Sequence, residues 1–115
     1  MKDLELMKQT DTARREITAG TWAEAIRTAA AFLKELANGE ALGLQYVEPL
    51  DSDQEMQKSL PYVQATELDN NCHAHTLRVT IKTLDTATRE DNARYELQLT
   101  RYTLDEARLN KASNR

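Results

Sequence analysis

One cysteine, Cys72, cannot form a disulfide within the chain. The opening residues MKDLELMKQTD carry charges where a secretory segment needs about 7–15 apolar residues. These two features together set the expectation of a reducing, cytoplasmic setting. Long apolar runs are also missing. The longest, AAAFL at 29–33, falls well short of the roughly 20 residues that cross a bilayer. There are only three glycines, Gly20, Gly39 and Gly43, and none belongs to a phosphate-cradling loop. No nucleophile elbow and no H-E-x-x-H pattern appears either. With only two prolines and a hydrophobic fraction of 40%, the composition is that of a folded globule rather than a disordered chain.

Charge is unevenly spread along the chain. The net charge is −4. Arg101, Arg108, Lys111 and Arg115 against Asp105 and Glu106 leave the last fifteen residues at +2, so the preceding hundred carry −6. An acidic surface repels phosphate backbones, which disfavours nucleic acid as a partner. Acidic residues are densest at 48–69, where Glu48, Asp51, Asp53, Glu55, Glu67 and Asp69 face only Lys58.

What is present is periodic. Thr21-Trp22-Ala23-Glu24 has the form of a capping box, in which Thr21 accepts from the Glu24 amide and Glu24 reaches back to that of Thr21. Trp22, Ala25, Ile26, Ala29, Ala30, Leu33 and Leu36 then recur at spacings of three and four, predicting a helix over 22–37. Asn38-Gly39 supplies a left-handed stop. Upstream, Leu6, Ala13 and Ile17 share a helical face, so 3–18 reads as a preceding helix. The alternative is a hairpin turning at Thr10-Asp11.

After Gly39 the period changes to two. A strand is expected at 42–47, closed by Pro49, and a weaker one in YVQATEL after Pro61, with a short helical turn somewhere in 51–60. The strongest β signal is the pair 75–84 and 93–102, where Leu77, Val79 and Ile81 and then Tyr95, Leu97 and Leu99 all fall on odd positions. An antiparallel register that sets Ile81 opposite Leu97 also sets Val79 opposite Leu99. It brings Lys82 against Glu96 on the other face. TLDE at 103–106 repeats the capping form, so either a short helix follows or the strand runs on. The expected fold is a single α+β domain. One or two N-terminal helices pack on an antiparallel sheet of three or four strands, with a prominent hairpin 75–84/93–102.

NNCHAHT, residues 70–76, gathers the only cysteine and both histidines. On a strand, His73 and His75 would share one face about 6.5–7 Å apart, a spacing that chelates a metal, with Cys72 pointing away. A zinc site needs one or two further ligands, which would have to be carboxylates such as Glu67 or Asp69. The simpler reading is an Asn-Asn turn entering a strand, with the histidines at the rim of the core face and no metal bound. An imidazole at such a boundary also suits proton transfer, a role open to His75. Trp22, Tyr46, Tyr62, Tyr95 and Tyr102 read as packing residues.

The run ITAGTWAEAIRTAAAFLKEL is similar to the strand-to-helix crossing of HicB-like antitoxin domains. The order of helices followed by a long antiparallel hairpin resembles the cone-shaped NTF2-like class, which implies a pocket between helix and sheet walled here by His75 and Tyr95.

Small size, acidity and the lack of a catalytic constellation favour a non-enzymatic protein-interaction or regulatory protein without a cofactor, of the kind found as accessory proteins of mobile elements and viruses. Its partner would be another protein, met through the acidic 48–69 residues, and self-association as a homodimer is expected from the open sheet edges. The alternatives are a pocketed ligand-binding domain or enzyme using His75, and a metal protein using His73 and His75.

Overall fold

The computed structural model describes residues 7–49, 60–85 and 93–104. It shows one helix packed on a five-stranded antiparallel sheet. The elements run β1 (Met7–Ala19), α1 (Trp22–Leu36), β2 (Glu40–Val47), β3 (Tyr62–Leu68), β4 (Ala74–Asp85) and β5 (Ala93–Leu104). The sheet order is β1-β5-β4-β3-β2, so the first strand closes against the last.

The β4–β5 hairpin holds the register its side chains dictate. Val79 opposes Leu99, Ile81 opposes Leu97, and Lys82 opposes Glu96. Because alternate side chains point to opposite faces, this puts Leu77, Val79, Ile81, Leu97 and Leu99 on one face, all at most 1% exposed. Full burial of each contributes about 1.5–3 kcal/mol before chain entropy is counted. From β3 the same face receives Val63 and Ala65.

Helix α1 covers this face with Ala25, Ala29, Phe32 and Leu33. The two alanines are 0% exposed, and their small side chains let the helix axis lie close to the sheet. At its start Thr21 Oγ1 accepts from the Glu24 amide at 3.0 Å. The return bond lands one residue earlier than the sequence pattern implies: the Gly20 amide, not that of Thr21, donates to Glu24 Oε1 at 2.6 Å.

Several expectations are corrected. Residues 7–19 form strand β1, neither a helix nor a hairpin. The turn expected at Thr10-Asp11 is instead a register irregularity between Gln9 and Asp11. The local sequence is a good helix former, but the free side of β5 offers twelve of the thirteen residues a ladder partner, and that long-range pairing overrides local preference. The sheet therefore has five strands rather than three or four. Among the described residues a single helix stands where one or two were expected, and a strand precedes it, unlike the helix-first order of the NTF2-like class.

The helix ends at Leu36 without a left-handed residue. Ala37 is extended (φ −68°, ψ 138°), and Gly39 does not have a positive φ. Gly39 is required for a different reason: a Cβ there would lie 2.0 Å from the Leu68 carbonyl oxygen. Positive φ occurs instead at Gly43 (66°), inside a register shift of β2 between Leu42 and Gln45. That shift breaks the expected alternation and leaves Leu42 and Leu44 exposed.

β5 runs on to Leu104, so the strand continues where TLDE allowed a helix to begin. The turn expected within 51–60, apart from residue 60, lies outside the described residues, as do Asp51, Asp53 and Glu55. No helix among the described residues is long and apolar enough to cross a membrane.

Candidate functional site

Beyond the C-terminal end of α1 the core face of the sheet turns polar. The odd-numbered rows of β3, β4 and β5 continue past Ala65, Leu77 and Leu99 into Glu67, His75, Arg101 and Thr103. Glu67 is 0% exposed and Arg101 7%. Arg101 grips both oxygens of Glu67, with Nε donating at 3.0 Å and Nη2 at 2.9 Å. The same Nη2 donates to the Leu36 carbonyl at 3.0 Å. The Asn38 amide donates to Glu67 Oε2. The buried pair therefore holds the end of the helix, placing a cation against its last carbonyls and a carboxylate against the amide beyond. Burial pushes the Glu67 carboxyl up. The hydrogen bonds from Arg101 and Asn38, with the charges of Arg101 and His75, outweigh that and leave it below its ordinary value.

The neighbouring turn is built on Asp69. Its Oδ1 accepts the amides of Asn71 and His73, each at 2.9 Å, and its backbone carbonyl accepts from Cys72 at 2.9 Å. Cys72, not an asparagine, takes the left-handed position (φ 63°). Asp69 Oδ2 lies 3.1 Å from His75 Nε2 and 3.7 Å from His73 Nδ1. His75 Nδ1 lies 3.1 Å from Thr103 Oγ1. A carboxylate only accepts, so Nε2 carries hydrogen, and in the neutral ring Nδ1 takes the threonine hydroxyl hydrogen. The amide of His73, then the bond from His75, hold the Asp69 carboxyl below its usual range.

Among the residues expected to matter, Glu67, Asp69 and His75 are therefore brought together. Glu67 is sealed beneath the helix end and is not part of a solvated acidic contact surface, which corrects that expectation for this residue. Glu48 is exposed past β2 and lies 3.4 Å from the Tyr46 hydroxyl. His73 precedes β4 and is exposed, so it does not share a strand face with His75. Among the described residues no group of three or more histidine, cysteine, aspartate or glutamate side chains is arranged to hold a metal ion.

Sequence reasoning missed Arg101 and Thr103. A signal was there: in YVQATEL and ARYELQLTRY, Glu67 and Arg101 each occupy the next odd position after a run of core residues. Opposite charges that both fall on the core-facing parity of two strands point to a buried pair, whereas Lys82 and Glu96, on the other parity, are not buried.

The other face of the sheet carries the even-numbered side chains of β3, β4 and β5, and no described element lies over it. At its centre Arg78 stacks on Tyr62, 4.0 Å from guanidinium carbon to ring centroid, with Tyr102 at 5.7 Å on the same face. Gln64 Oε1 accepts from Arg78 Nε at 3.1 Å and from Nη2 at 2.9 Å. Thr76, Thr80, Gln98 and Thr100 surround it in the register. Comparison with known proteins leaves the fold and these two arrangements to speak for themselves: no family model, no curated protein and no solved structure matches the chain.

Proposed function

We propose that this chain is a small non-enzymatic interaction protein of the regulatory kind, and that it meets its protein partner through the sheet face opposite α1. The observation that carries this reading is the contrast between the two faces. On the covered face, Glu67, Arg101, Asp69 and His75 are consumed by internal bonds. On the other, a polar field of threonine, glutamine, tyrosine and arginine is left without any described element packed on it. Large polar sheet faces with aromatic and arginine side chains match the composition of protein-contact surfaces.

A photo-crosslinking residue at Thr66, exposed on this face, tests the reading against the same residue at Arg27, exposed on the helix. A discrete adduct from position 66 alone is expected in the native cell. No adduct from 66, or equal adducts from both positions, would overturn it.

A second reading rests on Asp69, His75 and Thr103, which stand in the order carboxylate, imidazole, hydroxyl that nucleophilic acyl transfer uses. Turnover of p-nitrophenyl acetate lost in both Thr103→Val and His75→Ala would establish it. Equal rates in wild type and variants would dismiss it.

A further inference from the structure

Arg78 is a guanidinium cation held in place by neutral groups. Tyr62 supplies a ring beneath it, Tyr102 a second ring on the same face, and Gln64 a single carbonyl that takes both Nε and Nη2. No carboxylate pairs with it among the described residues, and Nη1 has no partner there. Its register neighbours Thr76, Thr80, Gln64 and Thr100 carry no charge. Two other cations of this face differ: Arg94 on β5 is 3.2 Å from Glu16, and Lys82 on β4 stands opposite Glu96, while Arg14 on β1 is exposed rather than half-buried. Arg78 is half-buried, so its charge is partly stripped of water without a counter-ion among the described residues to replace it.

Resting on the contact face assigned above, we propose that Arg78 is a preorganised receptor for a carboxylate carried by an acidic segment of the partner protein. The clamp has already fixed the planar fork, so an incoming carboxylate meets Nη1 with little ordering cost. Charge complementarity selects the occupant: a cation whose described neighbours are all uncharged takes an oxyanion. A short acidic segment touches only this field, whereas a nucleic acid extends beyond a screening length of about 10 Å and meets the rest of a chain whose net charge is −4.

The test is a titration of the nitrogen-labelled full chain with a polyglutamate peptide, followed by amide NMR. Shifts are expected to centre on Gln64, Thr80 and Thr100 together with the Arg78 side-chain signal. Affinity should fall about tenfold or more in Arg78→Gln. Arg78→Lys should recover little, because an ammonium does not offer the same fork. Should Arg78→Gln fail to fold, Gln64→Ala keeps the cation and loosens the clamp, and a several-fold loss is expected.

Shifts that lie elsewhere, or that persist unchanged in a folded Arg78→Gln, overturn the proposal. So does tighter binding of an oligothymidylate, which gives the face to nucleic acid, or acetate saturating the same signals at equal concentration. Crosslinking from position 66 without peptide binding retains the contact face and removes only the carboxylate receptor. Peptide binding at Arg78 without crosslinking supports the receptor and removes the cellular contact.

Discussion

Arg101 and Glu67 lie on strands that are not neighbours in the sheet, β5 and β3, and their side chains meet across β4 to form a two-toothed ion pair in the core. Breaking such a pair by removing one member leaves a buried charge alone, which costs about 3–5 kcal/mol, whereas replacing both with apolar groups is often near neutral. Here the arginine also holds the Leu36 carbonyl and the glutamate the Asn38 amide, so the double replacement also frays the helix end. In urea denaturation Arg101→Met should lose about 3–5 kcal/mol. The double variant Arg101→Met/Glu67→Leu should be more stable than Arg101→Met alone. A double variant that loses the sum of the two single losses would mean the two residues act independently.

The same carboxyl sets an acid limit. Glu67 in the folded chain sits below its ordinary 4.5, and Asp69 below its ordinary 3.8. Folded, each binds fewer protons than unfolded, so the stability they contribute is complete above those ordinary values and is lost as pH falls through the depressed ones. The urea midpoint should hold steady down to about pH 5 and then decline toward pH 3. Glu67→Gln should start lower and decline less, so that the two curves converge in acid. Parallel curves would show that Glu67 does not carry the acid sensitivity.

Gly39 and Gly43 separate two reasons for glycine. At Gly39 the obstacle is the Leu68 carbonyl, which is backbone and gives way only if β2 and β3 part. Gly39→Ala should therefore fall at the upper end of the about 1–3 kcal/mol that overpacking costs. At Gly43 nothing stands within 4 Å of an added Cβ, and only the φ of 66° resists. Gly43→Ala should cost about 1–2 kcal/mol, and Gly43→Asn less. Thermal unfolding of the three variants ranks them.

The β4–β5 hairpin was legible because each strand states its own face, and one charge pair, Lys82 with Glu96, picks the register among those that keep the faces aligned. β1 was not legible. Ala13, Arg14, Arg15 and Glu16 favour a helix locally, and what makes them a strand is β5, some eighty residues later in the chain, which no window on 7–19 contains. The site divides the same way. Asp69 and His75 are six apart and draw attention as a cluster. Glu67 and Arg101 are thirty-four apart, and only the placement of β3 and β5 on either side of β4 brings them together. The residues that surround Arg78 come from three strands, so only the sheet order brings Tyr62, Gln64 and Tyr102 to one cation.

Trp22, the only tryptophan, reports on the joint between helix start and sheet. Its ring meets Tyr95 at 5.6 Å and Tyr46 edge-on at 6.4 Å, and its Nε1 donates to the Tyr46 hydroxyl at 3.3 Å. Tyr46 belongs to β2 and Tyr95 to β5, so the indole is seated only when the helix start, β2 and the central sheet are assembled. Burial raises the Tyr46 hydroxyl above its ordinary value and outweighs the hydrogen bond from Trp22, which lowers it. Tyr46→Phe keeps the edge-on contact and removes the acceptor, leaving a half-buried N–H unsatisfied, and should cost about 1 kcal/mol. Tyr46→Leu removes the aromatic edge as well and should cost about 0.5–1.5 kcal/mol more. In wild type, tryptophan emission should shift red in a single step that coincides with loss of the far-ultraviolet circular dichroism signal. In Tyr46→Leu the emission should already be red-shifted before unfolding begins. Emission in Tyr46→Leu identical to wild type would mean that Trp22 is seated without Tyr46, and that β2 plays no part in closing the helix onto the sheet.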